Sequence, residues 1–123
     1  MELIEMTSDR VVGIRIDGKI QKADIETVEQ AFAEKFDRYD KASIYVEVVS
    51  LGGITLDALL EDLKFAREKF RRFEKKAVVS EHQWLGKLTA IGDRLFPSLE
   101  VQHFAMADKE TAIAWVSQTN SVT

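Results

Sequence analysis

The sequence predicts an α/β domain in which helices pack on a mixed, mainly parallel five-stranded sheet. Short β-branched runs alternate with stretches whose apolar residues recur every three or four positions. Strands and helices that alternate in this way form parallel sheets through crossover connections. The first two runs are separated only by a short turn at residues 7–9, which predicts an opening hairpin and one antiparallel strand. The predicted order of elements is ββαβαβαβα.

The opening hairpin is predicted to pair residues 3–6 with residues 11–16, where apolar residues recur at every second position. The dipeptide Asp17-Gly18 is expected to end the second strand. From about residue 22 the period changes to that of an amphipathic helix. The apolar stripe of this helix consists of Ile25, Val28, Phe32, Phe36 and Tyr39.

Residues 44–49 are almost continuously β-branched or aromatic, which is typical of a central strand covered on both faces. Glu47 is the exception in this run, because a charged carboxylate buried alone would cost several kcal/mol. We expect Glu47 to meet water, a backbone donor or a basic side chain. The alternative is a polar group on the floor of a pocket.

The second half of the chain predicts three helices and two strands. Thr55 is placed to cap a helix that ends in basic residues, which suit the negative end of a helix dipole. These basic residues are Arg71, Arg72, Lys75 and Lys76. Strands are predicted at residues 77–79 and 99–104, with a helix from Trp84 to Leu95 between them. Asp108 is expected to cap the last helix, whose core residues are Ala112, Ile113 and Val116.

Length and composition predict one soluble domain over residues 1–123. The chain has no cysteine, which excludes disulfides and thiolate metal sites and fits a reducing compartment. A net charge of −4 argues against a nucleic-acid-binding protein, which usually carries a basic face. No signal peptide and no apolar run of about 20 residues is present, so a cytoplasmic location is expected.

Four ordered landmarks resemble the SpoIIAA-like family over about residues 3–117. They are the Gly52-Gly53 loop, residues 55–65, Ala77-Val78-Val79 with Trp84-Leu85, and residues 112–116. That family is similar in fold to the STAS domains of anti-sigma factor antagonists and, more loosely, to lipid-carrying CRAL-TRIO domains. The resemblance implies a non-enzymatic module that binds a small apolar or amphipathic ligand or a protein partner.

The resemblance also implies an alternative, a phosphorylation-regulated antagonist switch. Antagonists carry Asp-Ser-Ser-Gly at the start of the helix after the third strand, whereas this chain has Gly52-Gly53-Ile54-Thr55-Leu56. Only Thr55 offers a hydroxyl there, and the aspartate is missing. Thr55 is therefore either a phosphorylation site or a plain helix N-cap.

The candidate ligand site is a cleft formed by Gly52, Gly53, Thr55, His82 and Trp84. These residues follow two strands that are expected to lie side by side. Ligands of open parallel sheets bind beyond the carboxyl ends of the strands, at a point where the strand order reverses. Backbone N–H groups at a helix start favour an anionic head, which suits an amphipathic molecule such as a fatty acid. The alternative is that the glycines only turn the chain and that Trp84 packs in the core.

No catalytic motif, metal site or cofactor site is predicted. Ser50 or Ser80 could be combined with His82 and Glu47 into a hydrolytic triad, which makes a hydrolase the third hypothesis. The two histidines, His82 and His103, lie on different elements and show no metal-ligand spacing.

A basic run predicts either a solvated helix face or a contact with an anionic membrane or an acidic partner. Its members are Lys64, Arg67, Arg71 and Arg72, with Lys69, Lys75 and Lys76. Homo-oligomerisation is left open by the sequence.

Overall fold

The computed structural model describes residues 1–19, 21–52, 73–81 and 100–118 of the 123-residue chain. The strands are β1 (Glu2–Ile4), β2 (Val11–Lys19), β3 (Ala42–Gly52), β4 (Phe73–Val79) and β5 (Glu100–Phe104). The helices are α1 (Lys22–Arg38) and α2 (Lys109–Ser117), and a 3-10 turn at Met106–Asp108 precedes α2. The two helices predicted between β3 and β4 and between β4 and β5 lie outside the described residues.

The five strands form one mixed sheet in the order β1-β2-β3-β4-β5. β1 pairs with β2 in the antiparallel sense, and β2, β3, β4 and β5 are parallel. β3 is the central strand, as the apolar run at residues 44–49 predicts. The predicted fold class is therefore confirmed, with an antiparallel hairpin at one edge of an otherwise parallel sheet.

The sheet buries a separate apolar cluster on each face, because successive strand residues point to opposite sides. On one face, Phe32 of α1 packs with the strand residues Val12, Ile14 and Ile44. On the other face, α2 covers the sheet; this second cluster contains Val11, Tyr45, Ala77, Val79, Ala112 and Val116. We call these the α1 face and the α2 face. No helix in the described part of the chain is long and apolar enough to cross a membrane.

The sequence predicts that β2 ends at Asp17-Gly18, and this prediction is wrong. β2 continues to Lys19 beside the last residues of β3. The register shifts between Ile16 and Asp17, and Gly18 has a φ of 99°. Glycine adopts this left-handed region without the steric cost of a Cβ, so the strand absorbs the irregularity and goes on. The dipeptide marks a shift in register instead of a strand end.

β4 begins at Phe73, so Lys75 and Lys76 are strand residues and the prediction of a helix ending there is wrong. Lys75 is buried, its Nζ donates a hydrogen bond of 3.3 Å to the carbonyl oxygen of Trp115, and it lies 5.1 Å from the Trp115 ring centroid. A lysine stem is apolar enough to cross a core while its ammonium finds a partner. The partial burial of Lys76 lowers the pKa of its ammonium through desolvation.

A polar cluster fastens the end of α1 to the turn after β1. Asp9 accepts a hydrogen bond of 2.7 Å from the Tyr39 hydroxyl and forms ion pairs of 3.0 Å with Lys35 and Arg38. The Tyr39 hydroxyl and the two cations keep the pKa of Asp9 below its usual value of 3.8. Tyr39, predicted at the end of the apolar stripe, therefore lies in a polar environment with the Arg10 guanidinium 5.0 Å from its ring centroid.

Candidate functional site

A row of charged residues crosses three strands on the α2 face. Glu2 of β1 is in register with Arg15 of β2, and Arg15 is in register with Glu47 of β3. Arg15 Nη1 lies 2.7 Å from Glu2 Oε1, and Arg15 Nη2 lies 3.6 Å from Glu47 Oε2. The hydrogen bond to Glu2 and the charge of Glu47 raise the pKa of the Arg15 guanidinium. Opposite charges on neighbouring strands thus alternate along the row.

Glu47 is the buried member of this row, with only 6% of its surface exposed. The hydroxyl of Tyr45 donates a hydrogen bond of 3.3 Å to Glu47 Oε2, and Lys109 Nζ lies 3.9 Å from Oε1. Burial, followed by the charge of Glu47, raises the pKa of Tyr45 to about 12. The expectation that Glu47 meets a basic side chain is confirmed, because Arg15 and Lys109 flank it.

The cluster of Arg15, Tyr45, Glu47 and Lys109 lies level with the carboxyl end of β4, since Glu47 is in register with Val79, the last residue of that strand. Lys109 is the first residue of α2. We call these four residues the edge cluster. Arg15 and Lys109 are partly exposed, whereas the carboxylate of Glu47 is buried. The solvent-accessible part of the edge cluster therefore consists of N–H donors.

Of the two serines proposed for a hydrolytic triad, Ser50 has a side-chain partner on β2 and Ser80 is buried. The Ser50 hydroxyl donates a hydrogen bond of 2.8 Å to Oδ1 of Asp17, a residue of β2. Ser80 is fully buried, and its carbonyl oxygen accepts a hydrogen bond of 2.8 Å from His103 Nε2. His82 lies outside the described residues. Within the described ranges, no group of three or more His, Cys, Asp or Glu residues could hold a metal ion.

Most of the cleft predicted from the sequence falls outside the described residues. Gly52 is the last residue of β3 and pairs with Lys19. Gly53, Thr55, His82 and Trp84 lie outside the described part, as do the basic residues Lys64, Arg67, Arg71 and Arg72. These residues stay predictions.

The two strands expected to carry the cleft, β3 and β4, are parallel neighbours, as predicted. Their carboxyl ends are not level, however. β3 continues to Gly52, whereas β4 ends opposite Glu47, so β3 outruns β4 by roughly 16 Å at 3.3 Å per residue. The described strand order also has no reversal, so the argument from a topological switch point does not apply to these strands. The edge cluster is the better-supported site.

Three members of the edge cluster were missed by reasoning from the sequence. Arg15 looks like an ordinary solvent-facing residue of an alternating strand, and Lys109 like a first-turn residue of a surface helix. Tyr45 looks like a core aromatic. Only Glu47 carried a signal, a charge inside an apolar run, and its partners depend on strand register.

The fold defines the chain as an α/β module with a STAS-like fold. Residues 11–117 match the model of the SpoIIAA-like family, so the chain belongs to the SpoIIAA-like family. A solved structure with the same fold is that of an uncharacterized protein of the DUF3478 family from Shewanella loihica PV-4. It has a TM-score of 0.67 and 18% sequence identity, over 94% of this chain and 90% of that one. No curated protein matches the chain.

Proposed function

We propose that this protein is a non-enzymatic binding module that holds a small amphipathic anion, such as a fatty acid, on the α2 face, level with the carboxyl end of β4. The observation that carries the proposal is the edge cluster. Lys109 Nζ makes no hydrogen bond within the described part of the chain, and its 3.9 Å distance to Glu47 is too long for one. Its donors are therefore available to the carboxylate of a ligand.

The charge balance of the site favours a ligand with an apolar body. Arg15 and Lys109 are opposed by Glu47 and Glu2, so the four side chains carry no net charge. A small inorganic anion would gain little there. Each methylene group that leaves water adds about 0.8 kcal/mol, so affinity should rise with acyl chain length. The looser similarity to CRAL-TRIO domains, which the family match does not test, agrees with such a ligand.

Native mass spectrometry of the purified protein tests the proposal, because it reveals a carried ligand and the number of subunits together. Titration with decanoate should then change tryptophan emission and raise the Tm by mass action. Lys109→Gln should weaken decanoate binding about fivefold, the value of one exposed charge pair. Lys41→Gln, at an exposed lysine outside the cluster, is the matched control and should bind like the wild type.

The proposal is refuted if the protein is bare in native mass spectra and decanoate changes neither its emission nor its Tm. Equal affinities of the Lys109→Gln and Lys41→Gln proteins would refute the edge cluster as the site.

The alternative of a phosphorylation-regulated switch at Thr55 stays a proposal, because Thr55 lies outside the described residues. A phosphate at a helix N-terminus is electrostatically favourable, so a modified protein should remain folded. Mass spectrometry of Thr55 from cells under varied growth conditions decides this alternative. An unmodified Thr55 and a silent Thr55→Ala variant would eliminate it.

A further inference from the structure

A cleft of about 510 Å³ separates α1 from the opening hairpin. It arises because α1 packs over β2 and β3, where Phe32 meets Val12 and Ile44, and does not extend over β1. Leu3 of β1 is therefore 46% exposed. Leu3 and Ala31 contribute apolar surface to a cleft whose lining is otherwise largely polar, and its volume is in the range of ligand-binding pockets.

The charged residues around this cleft leave an excess of negative charge. Lys35 and Asp9 also line the cleft, but they compensate each other in an ion pair of 3.0 Å. Glu5 and Glu34 are exposed and make no side-chain hydrogen bond or ion pair within the described ranges. Two uncompensated carboxylates beside an apolar surface favour a partner that is both cationic and apolar.

The adjoining strand can also bind an extended chain. β1 pairs with β2 on one side, and no described segment pairs with its other edge. The backbone groups of an edge strand can hydrogen-bond to an added peptide strand, whose alternate side chains then lie on the same face. An anionic membrane does not fit this surface, because Glu5 and Glu34 would repel its headgroups.

We propose that the cleft and the edge of β1 form a docking surface for a short extended segment of a partner protein, rich in Lys or Arg and in apolar residues. An apolar side chain of the segment covers Leu3 and Ala31, and flanking basic side chains pair with Glu5 and Glu34. Leu3 is on the α1 face, and none of the residues that line the cleft belongs to the edge cluster. The inference is therefore independent of the ligand proposed above.

The test uses a fluorescein-labelled peptide of alternating lysine and leucine, and a peptide of alternating glutamate and leucine as the charge control. Fluorescence anisotropy should show binding of the lysine peptide only, weakening as salt is raised. The double variant Glu5→Lys/Glu34→Lys should bind the lysine peptide about tenfold more weakly, since two exposed charge pairs are lost. Leu3→Ser should also weaken binding, and both variants should keep the wild-type Tm and decanoate affinity.

The matched control is Glu26→Lys/Glu29→Lys, which changes the same charge at exposed positions of α1 that do not line the cleft. If this control loses as much affinity as Glu5→Lys/Glu34→Lys, the attraction is nonspecific and the proposal is overturned. It is also overturned if the lysine peptide does not bind at millimolar concentration. Amide chemical-shift changes that centre away from β1 and Ala31 would overturn it as well.

Discussion

Glu47 is a buried carboxylate whose negative charge is compensated by neighbouring side chains. A lone buried carboxylate would be strongly destabilising, but Tyr45 donates a hydrogen bond to it and two cations lie within 4 Å. Tyr45 is 1% exposed, so its ionised form would have neither water nor a cation at hydrogen-bond distance among the described residues. The folded state therefore favours a neutral Tyr45.

Tyr45→Phe should be less stable than the wild type at pH 9 and about equally stable near pH 11. At pH 9 the variant lacks a buried hydrogen bond, which is worth about 1 kcal/mol. The folded-state pKa of Tyr45, about 12, lies above the ordinary value of 10.0, so its contribution is complete below pH 10 and is lost between pH 10 and 12. At pH 11 the wild type has lost about 1 kcal/mol that Tyr45→Phe cannot lose.

Urea unfolding of both proteins at pH 9, 10 and 11 measures this difference. All other titrating groups are common to the two proteins, so they cancel in the comparison. A constant difference in the free energy of unfolding over this range would contradict a raised pKa at Tyr45.

Helix α2 is fixed at both ends by buried charged residues of the sheet. It begins at Lys109, beside Glu47 of β3, and near its end the carbonyl of Trp115 accepts a hydrogen bond from Lys75 of β4. Nine helical residues span about 14 Å, and the strand from Lys75 to Val79 spans about 13 Å. The helix and the strand therefore match in length, and the ammonium of Lys75 meets the negative end of the helix dipole.

Lys75→Met should loosen the carboxyl end of α2 and lower the free energy of unfolding by about 1 kcal/mol. The methionine keeps the apolar stem but removes the hydrogen bond to the Trp115 carbonyl and the cation over its ring. Hydrogen exchange should accelerate for the amides of residues 115–117 and remain unchanged at Ala112. Lys41→Met is the control at an exposed lysine, and similar exchange at residues 115–117 in both variants would disprove the role of Lys75.

The sequence predicts elements better than the side chains that join them. Apolar periodicity predicts both α1 and α2. Among the residues that carry this period, Phe32, Ala112 and Val116 are buried. Asp108 occupies the predicted N-cap position of α2, although its side chain makes no capping hydrogen bond. The sequence predicts Lys75 at a helix end, because basic residues favour that position. Only the tertiary contacts show that Lys75 lies in β4 and binds the carboxyl end of α2. Such contacts join residues far apart in the chain and leave no local pattern.

In the whole molecule, β3 separates the two apolar clusters, and the exposure of each of its residues decides that residue's tolerance to substitution. Val48 is 3% exposed and packs on the α1 face against Val78. The next residue, Val49, is 45% exposed. The apolar run at residues 44–49 predicts a uniformly buried strand, but the structure shows Val46 half-buried and Val49 exposed.

Val48→Asp should prevent stable folding, because a charge without a partner would enter the core at a cost of 3 kcal/mol or more, on the order of the largest single-residue effects. Val49→Asp, the adjacent and matched control, should change stability by less than about 0.5 kcal/mol. Circular dichroism melting curves compare the two. Equal losses of stability in both variants would contradict the difference in burial between Val48 and Val49.

Each strand of the sheet is hydrogen-bonded to the strand that precedes it in the chain. During synthesis each strand can therefore pair when the next one emerges, over connections of about 20 residues between the parallel strands, and no strand waits for a partner further along the chain. α2 breaks this sequence, because it reaches back across the sheet to cover Tyr45 and Ala77 in the middle. A nascent chain that stops before Lys109 carries all five described strands but lacks the helix that packs on Tyr45 and Ala77. Such a chain should be more exposed to aggregation and to chaperones than one that already carries α2.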